Sequence, residues 1–470
     1  MLVVSAVLAG CGGVAGPRSD GTVTVVTTAD SGELDPSERF RPQQDLLLRN
    51  VFQTLLAEGP DGGEPQNDLA ESCRFSTPTA YTCRLKEAGF PDGTRVSPAD
   101  VAWTLVGRRV EGAPVPPEVT RLQALVRSVQ TVDDYTFTLE LAHPDPALPY
   151  LLTLPEAAIV RSGSGLSTAG GSGPYQVESV SGDDVVLVAN PHYSSAAAVA
   201  NDRVVIRQVA DADAGTAALA DGSADVLYPG DVRQSAAPVT AAAGSEITRS
   251  AGASITVLRL DKVLGAASEQ PVRQAVAALL DRSALARSAD ETVVPLSSVL
   301  PSDRQWSTGP ALEDDSPDPG RAAELLSGAG VQTPVPLPIV RPAGLTDALW
   351  DEFLRQLSAG GLFEPTLTDA SGAAALVLTQ SPATPDPVDY LSLATDADRS
   401  PGLADLIDRA RKDTDLASRE QSVTDAQDHI ADRTLVVPLW QGTNAVMARS
   451  GVDGVNVSPF LRLWRLRPPG

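Results

Sequence analysis

Apolar positions change period several times along the chain, and each change marks a predicted element. Thr22–Thr27 (TVTVVT) is short and β-branched, which predicts a strand. Leu47, Leu48, Val51, Phe52, Leu55 and Leu56 recur at helical spacing and predict a helix over 45–56. Tyr135–Leu141 (YTFTLEL) alternates as a half-buried strand does. Further strands are predicted at 185–188, 204–209, 255–260, 374–379 and 435–439. Ser97, Pro98 and Asp100 form a helix start, ahead of a stripe of Val101, Ala102, Leu105 and Val106. From Pro271 the texture is helical, with Val272, Ala275, Val276, Leu279 and Leu280 on one face. Asp318-Pro319 and Thr346 open two more helices, closed by Gly328–Gly330 and Gly360-Gly361. Ser418 and Gln421 predict a capping box for a helix through Val423, Ala426 and Ile430. Strands and helices alternate throughout, so the fold class is α/β or mixed α+β with more than one sheet.

Composition narrows what such a fold does. The 470 residues correspond to about three domain-sized units. There are 36 basic against 60 acidic residues, a net charge of −24 that repels phosphate backbones and excludes nucleic acid as a partner. His143, His192 and His429 lie far apart, so no multi-histidine metal site is expected, and no cofactor is predicted. None of Lys86, Lys262 and Lys412 follows a glycine, so the phosphate-cradling GxxxxGK[ST] loop is missing. GxGxxG, GxSxG, HExxH and CxxC are missing too. Asp211–Asp225 lacks the alternating ligands and closing Glu of a calcium loop and reads as a solvated helix and turn. The expectation is a protein that is not an enzyme.

The first residues, MLVVSAVLAGCGG, place Leu8-Ala9-Gly10-Cys11 behind an apolar run. This resembles the processing signal of bacterial lipoproteins. It implies lipidation of Cys11, a signal over 1–10 and a Gly-, Ala-, Pro- and Ser-rich tether over 11–21. With no basic residue ahead of the apolar run, the start of the precursor is expected upstream of Met1. Cys73 and Cys83 flank a turn around Pro78 and could face each other across a hairpin. In an oxidising compartment a disulfide is the expected state; a catalytic or metal role would need a His or a third Cys nearby.

Several segments in order are similar to the family 5 solute-binding proteins of ABC importers, the dipeptide, oligopeptide and nickel group. They are Leu69-Ala70-Glu71-Ser72, Tyr81–Lys86, Phe90–Thr94 and Ser97–Val101, then Gly171–Tyr175 and Ala189–Tyr193. Val272–Ala275 with Leu280–Arg282, Asp318–Gly330, and Ile407–Gln427 with Val437-Pro438-Leu439 complete the series. The resemblance implies a periplasmic-binding-protein-like fold of two lobes around a ligand cleft, with an extra small domain. It implies a discontinuous lobe I of 22–38, 166–256 and 441–470, a small domain of 39–165 and a lobe II of 257–440. It also implies a lipid-anchored protein on the extracytoplasmic face of the membrane, monomeric, with a peptide or other small solute and permease subunits as partners. The alternative is a non-transport envelope lipoprotein of the same fold that scaffolds or regulates cell-wall glycolipid assembly.

In peptide-binding members the ligand main chain is held after the first strand and in a loop before a "DP..FL"-like run. Here these are Asp30–Leu34, with Ser31, Gly32 and Glu33, and 380–391. Alignment on Asp386-Pro387 puts Gln380 where the family carries a Trp and Ala383 where it carries the Asp that pairs with a peptide ammonium. Ser381 lies between them, and Asp386 or Asp389 could substitute for the lost charge. Trp306, Trp440 and Tyr390 are aromatic candidates for the cleft, with core packing as the other reading for each.

Overall fold

The computed structural model describes residues 21–28, 45–59, 63–107, 117–163, 171–229, 244–260, 265–289, 293–307, 316–341, 345–368, 376–380, 386–395, 401–457 and 460–468. The chain opens with β1 (Thr22–Thr27) and α1 (Asp45–Val51). A small unit follows: β2 (Leu56–Ala57), β3 (Gln66–Asn67), β4 (Ala70–Thr77), β5 (Ala80–Leu85), α2 (Pro98–Ala102), α3 (Pro117–Leu125), β6 (Val126–Thr131), β7 (Thr136–Leu141) and α4 (Leu148–Leu151). Next come β8 (Tyr175–Ser181), β9 (Asp184–Ala189), β10 (Arg203–Gln208), α5 (Ala212–Ala220), β11 (Val226–Tyr228) and β12 (Ser245–Leu260). The last part holds α6 (Gln270–Ala278), α7 (Arg282–Ser288), β13 (Val293–Pro295), α8 (Pro319–Gly328), β14 (Val335–Val340), α9 (Asp347–Leu357), β15 (Phe363–Leu367) and β16 (Leu376–Gln380). It ends with α10 (Pro387–Leu391), α11 (Pro401–Lys412), α12 (Leu416–Asp432) and β17 (Val436–Arg449).

The expected mixed α/β class holds. An 11-stranded sheet runs β15-β14-β16-β12-β17-β11-β1-β10-β9-β8, with β13 on β17. The order β4-β5-β7-β6 forms a separate 4-stranded sheet over its own core of Leu69, Leu85, Phe90, Phe137 and Leu139. Cys73 and Cys83 are directly opposed on β4 and β5, and their sulfurs are bonded at 2.06 Å.

Two strands of the large sheet tie its halves together. Ser245–Ala251 of β12 pairs with the end of β17, and Ile255–Arg259 pairs with its start, with the register slipping between 251 and 255. A Cβ at Gly252 would stand 2.8 Å from the Gly442 carbonyl oxygen, and one at Gly442 would stand 2.9 Å from Ser254 Oγ. At Gly252 only glycine lets the two backbones approach this closely, while at Gly442 the near atom is a side-chain hydroxyl. On one side of the slip β14, β16, α6, α8 and α9 enclose a core of Leu258, Leu279, Leu337, Trp350 and Phe353. On the other, β1, β8–β11 and α1 enclose Val25, Leu47, Tyr175, Leu187 and Ile206.

Local sequence signals hold where a side chain satisfies a helix end. Asp318 accepts from Arg321 N–H at 2.7 Å, and Thr346 from Leu349 N–H at 3.3 Å. The Asp100 carboxylate accepts from the Ser97 N–H at 2.8 Å and from Ser162 N–H at 2.7 Å. Three expectations need correction. First, α1 stops at Val51, not 56, because Thr54 N–H turns to Asp68 and the Thr54 hydroxyl to the Leu56 carbonyl. Leu55 and Leu56 are buried in extended chain instead. Second, α12 starts one turn early: Asp415, not Ser418, is the cap and accepts from Ser418 N–H at 2.9 Å. Third, Val106 is exposed because Trp103–Gly107 winds as a wider π turn, which rotates it off the stripe.

Candidate functional site

The register slip of β12 is stitched to the loop after β13 by Gln441, which is wholly buried on β17. Its Nε2 donates to the Gly252 carbonyl at 2.7 Å and to Asp303 at 2.9 Å. Its Oε1 accepts from both N–H and hydroxyl of Ser302, each at 2.9 Å. Burial pushes the Asp303 carboxyl above the usual carboxylate range. The same loop then reaches across to the small unit. Arg304, buried, donates to Glu58 at 2.7 Å. The Gln305 amide donates to Glu64 at 2.7 Å and accepts from the Tyr150 hydroxyl at 2.5 Å. Burial pushes the Tyr150 hydroxyl up, so it stays protonated and donates.

Beneath this seam lies an ion pair sealed from solvent. Arg419 of α12 donates to Asp386 at 2.8 Å, with 2% side-chain exposure on each partner. Its Nε donates to the Ala410 carbonyl at 2.8 Å, and its guanidinium lies over the rings of Tyr150 (5.5 Å) and Trp306 (5.4 Å). Trp306 adopts a positive φ of 64°, a conformation that bulky side chains rarely take. Gln427 holds its carbonyl at 2.9 Å. Strain of this kind persists where the surroundings over-determine it, and here a guanidinium over the ring and a glutamine on the carbonyl do so. Nearby, Asp389 lies 3.9 Å from both Arg121 and Arg411, and Arg121 also holds Asp145 at 3.1 Å.

Of the residues singled out in the sequence, Trp306 is half-buried at this seam. Asp389 is half-buried beside two arginines. Asp386 caps α10 through Val388 N–H at 3.0 Å and is committed to Arg419. Tyr390 is buried in the core beside β12, and its hydroxyl donates to the Ala253 carbonyl at the slip. Trp440 packs in the core with Val437 and Leu439. For these two the packing reading accounts for the position. Gln380 ends β16 opposite Thr256. Cys11, Ser31, Gly32, Glu33, Ser381 and Ala383 lie outside the described residues.

Glu58, Tyr150, Arg304, Gln305, Arg419 and Gln441 come together without any motif. One signal was available: Gln441 follows the apolar run LVVPLW, and a polar residue inside a buried strand needs partners. The seam bonds buried and half-buried donors and acceptors to one another, with the rings of Tyr150 and Trp306 beside the Arg419 guanidinium. Among the described residues there is no group of three or more His, Cys, Asp or Glu placed to hold a metal ion. Among them, too, no helix is long and apolar enough to cross a membrane.

Comparison with known proteins now has a geometry to bear on. The model of "Bacterial extracellular solute-binding proteins, family 5 Middle" matches residues 64–344. Compared by sequence with curated proteins, the chain matches none. Among solved structures it is similar to the unliganded open form of the periplasmic murein tripeptide binding protein MppA. The TM-score is 0.82 at 16% identity, over 96% of this chain and 98% of that one. It is also similar to a nickel ABC transporter protein from Bacillus halodurans (TM-score 0.81, 18% identity, 95% and 99% covered). A third is DppA from Helicobacter pylori in complex with the peptide STSA (0.67, 18%, 96% and 98%). At these identities the structural likeness concerns the fold.

Proposed function

Because the chain belongs to family 5 of the bacterial extracellular solute-binding proteins, binding proteins of ABC import systems rather than enzymes, we propose that it delivers peptides or peptide-like solutes to an ABC permease. The carrying observation is the pair β12 and β17 with its glycine-lined slip, beside a seam of donors and aromatic faces. Two strands crossing between two separate cores make a hinge, and a hinge lets a ligand's contacts stabilise one arrangement of the lobes over another. Lobe I comprises 22–38, 166–256 and 441–470, the small domain 39–165 and lobe II 257–440. The slip at 251–255 falls beside the boundary at 256 and supports this division. Lipidation at Cys11 holds the protein on the extracytoplasmic face as a monomer.

Recognition of a free peptide amino terminus is not part of the reading. Asp386 is spent on Arg419 and on capping α10, and Ala383 carries no charge. Mass spectrometry of the purified protein, native and then denatured, tests the proposal. Released masses differing by amino-acid residues support it; a single non-peptidic mass redirects it to that solute. No released mass, together with no thermal shift from peptide pools, overturns it. The second reading, a scaffold or regulator of cell-wall glycolipid assembly, is favoured by one observation. Glu58 is paired with Arg304 across the seam and Asp386 with Arg419 beneath it, so each charge there already has an opposite partner.

A further inference from the structure

The C-terminal segment runs against the prevailing charge. In a chain of net charge −24, Leu461–Arg467 reads LRLWRLR. Its leucines are buried in the lobe around β1, so the residues between them are turned toward the surface. Arg49 of α1 and Arg462 both lie over the Phe460 ring, with guanidinium carbons 4.9 and 5.3 Å from its centroid. Trp464 packs on the same ring, centroids 6.2 Å apart. Phe460, Arg462 and Trp464 are half-buried and Arg465 is exposed. Burial, and then the charges of Arg465 and Arg49, hold the Arg462 guanidinium below its usual range, against the opposing pull of Tyr193 and Asp68. Like charges have therefore been gathered here, around two aromatic rings.

The fold decides where this surface sits. Asn201 Nδ2 donates to the carbonyls of Leu463 and Leu466, each at 2.8 Å, and Ala200 N–H donates to the Trp464 carbonyl at 2.7 Å. Two residues later, Arg203 is the register partner of Thr22, where β1 begins. At about 4.8 Å between strands and about 3.3 Å per residue, Asn201, which holds the patch, lies within about 12 Å of the start of β1. The chain between Cys11 and Thr22 can reach at most about 40 Å. β1 and β10 are parallel, and their carboxyl ends, where ligand clefts of such sheets form, point the other way.

We propose that the surface made by Phe460, Arg462, Trp464 and Arg465, with Arg49 beside it, docks on anionic lipid headgroups of the membrane to which the chain is tethered. Its placement relative to the bilayer rests on the proposed lipidation of Cys11. The indole of Trp464, with its one polar edge, suits the headgroup layer, and arginines supply the attraction that the rest of this acidic surface lacks. Docked in this way, the protein turns the carboxyl ends of its parallel strands away from the bilayer. Lipid docking then competes with presentation of the cleft to a permease.

The test uses the full chain carrying C11S, so that no acyl chain contributes. It is mixed with phosphatidylcholine vesicles, or with vesicles half of whose lipid is phosphatidylglycerol, and sedimented. Binding to the anionic vesicles alone is expected, with loss at about 0.5 M salt, where the Debye length is only a few ångströms. At about fivefold per arginine, R462Q/R465Q weakens it about thirtyfold. R462K/R465K keeps the charge and binds like the parent, which separates lost charge from a damaged fold. Equal binding to neutral vesicles, indifference to salt, or an R462Q/R465Q variant that binds like the parent overturns the proposal. So does binding only to neutral bilayers that contain permease, which would make the patch a protein contact. Solute retention is read separately by mass, so failure here leaves the solute-binding reading standing.

Discussion

Replacing Arg419 by methionine isolates the sealed pair behind the seam. Arg419 and Asp386 are 2.8 Å apart with 2% exposure each, so the variant leaves a carboxylate in the interior with no counter-charge. Breaking a buried pair from one side costs about 3–5 kcal/mol. The guanidinium also lies over Tyr150 and Trp306 at 5.5 and 5.4 Å, contacts worth about 0.5–1 kcal/mol each. Methionine keeps much of the volume, so the cavity contribution is small. The expected loss for R419M is about 4–7 kcal/mol, a large share of a typical domain stability of about 5–15 kcal/mol. In R419M/D386N the stranded charge is gone while the amide oxygen still caps Val388. That double variant is therefore expected to be more stable than R419M by about 1–3 kcal/mol, the coupling that contacting residues show. Urea unfolding followed by circular dichroism and by tryptophan fluorescence measures both, as midpoint shifts at unchanged slope. A cost for R419M under about 1 kcal/mol, the value of an exposed pair, would show that the pair is not sealed from water. Strictly additive single variants would count equally against the pairing.

G442A places a methyl 2.9 Å from Ser254 Oγ at the slip, so the amplitude of ligand-induced compaction in small-angle scattering should fall; unchanged compaction would move the hinge elsewhere. R304Q removes the charge that holds Glu58 at 2.7 Å, and solute should dissociate from it about tenfold faster, the effect of about 1.4 kcal/mol; an unchanged off-rate would detach the seam from binding. Burial pushes the Asp68 carboxyl up to about 6, against the hydrogen bonds from Gln53 and Thr54. Its folded pKa lies above its unfolded value of about 3.9, so the folded state holds the extra proton, and Asp68 contributes a loss of stability as pH rises from about 4 to about 6. Melting temperature measured against pH should carry this slope in the parent relative to D68N, and a difference of opposite sign would reject it. C73S/C83S opens a loop of 10 residues and should lower stability by about 2–3 kcal/mol, read by urea unfolding with and without reductant.

Local chemistry is written in short stretches of sequence, and where one side chain settles a helix end those stretches behaved as read. Asp318 and Thr346 start helices because one side chain satisfies one orphan N–H a few residues away, a contact that needs no other part of the chain. Strand alternation in β7 and the opposed Cys73 and Cys83 follow from the two-residue repeat of a strand and a single turn. The ordered motifs from Leu69 to Leu439 carried the family and with it the fold. The long strands were legible only in part: 255–260 is apolar, but Ser245–Ser254 is half-buried and mixed, so β12 showed only its end. The seam was illegible. Arg304 and Glu58 are 246 positions apart, Gln305 and Tyr150 are 155 apart, and Arg419 and Asp386 are 33 apart. Each is an ordinary polar residue in its own segment. Helix starts such as those at Asp318 and Thr346 could be read in advance because their caps are local, whereas α1 stops at Val51 because Thr54 turns to Asp68, fourteen residues on. Which charges meet in the interior is a matter of the folded chain, because a buried charge is tolerable solely where the fold delivers a partner, and that partner can come from any distance along the chain.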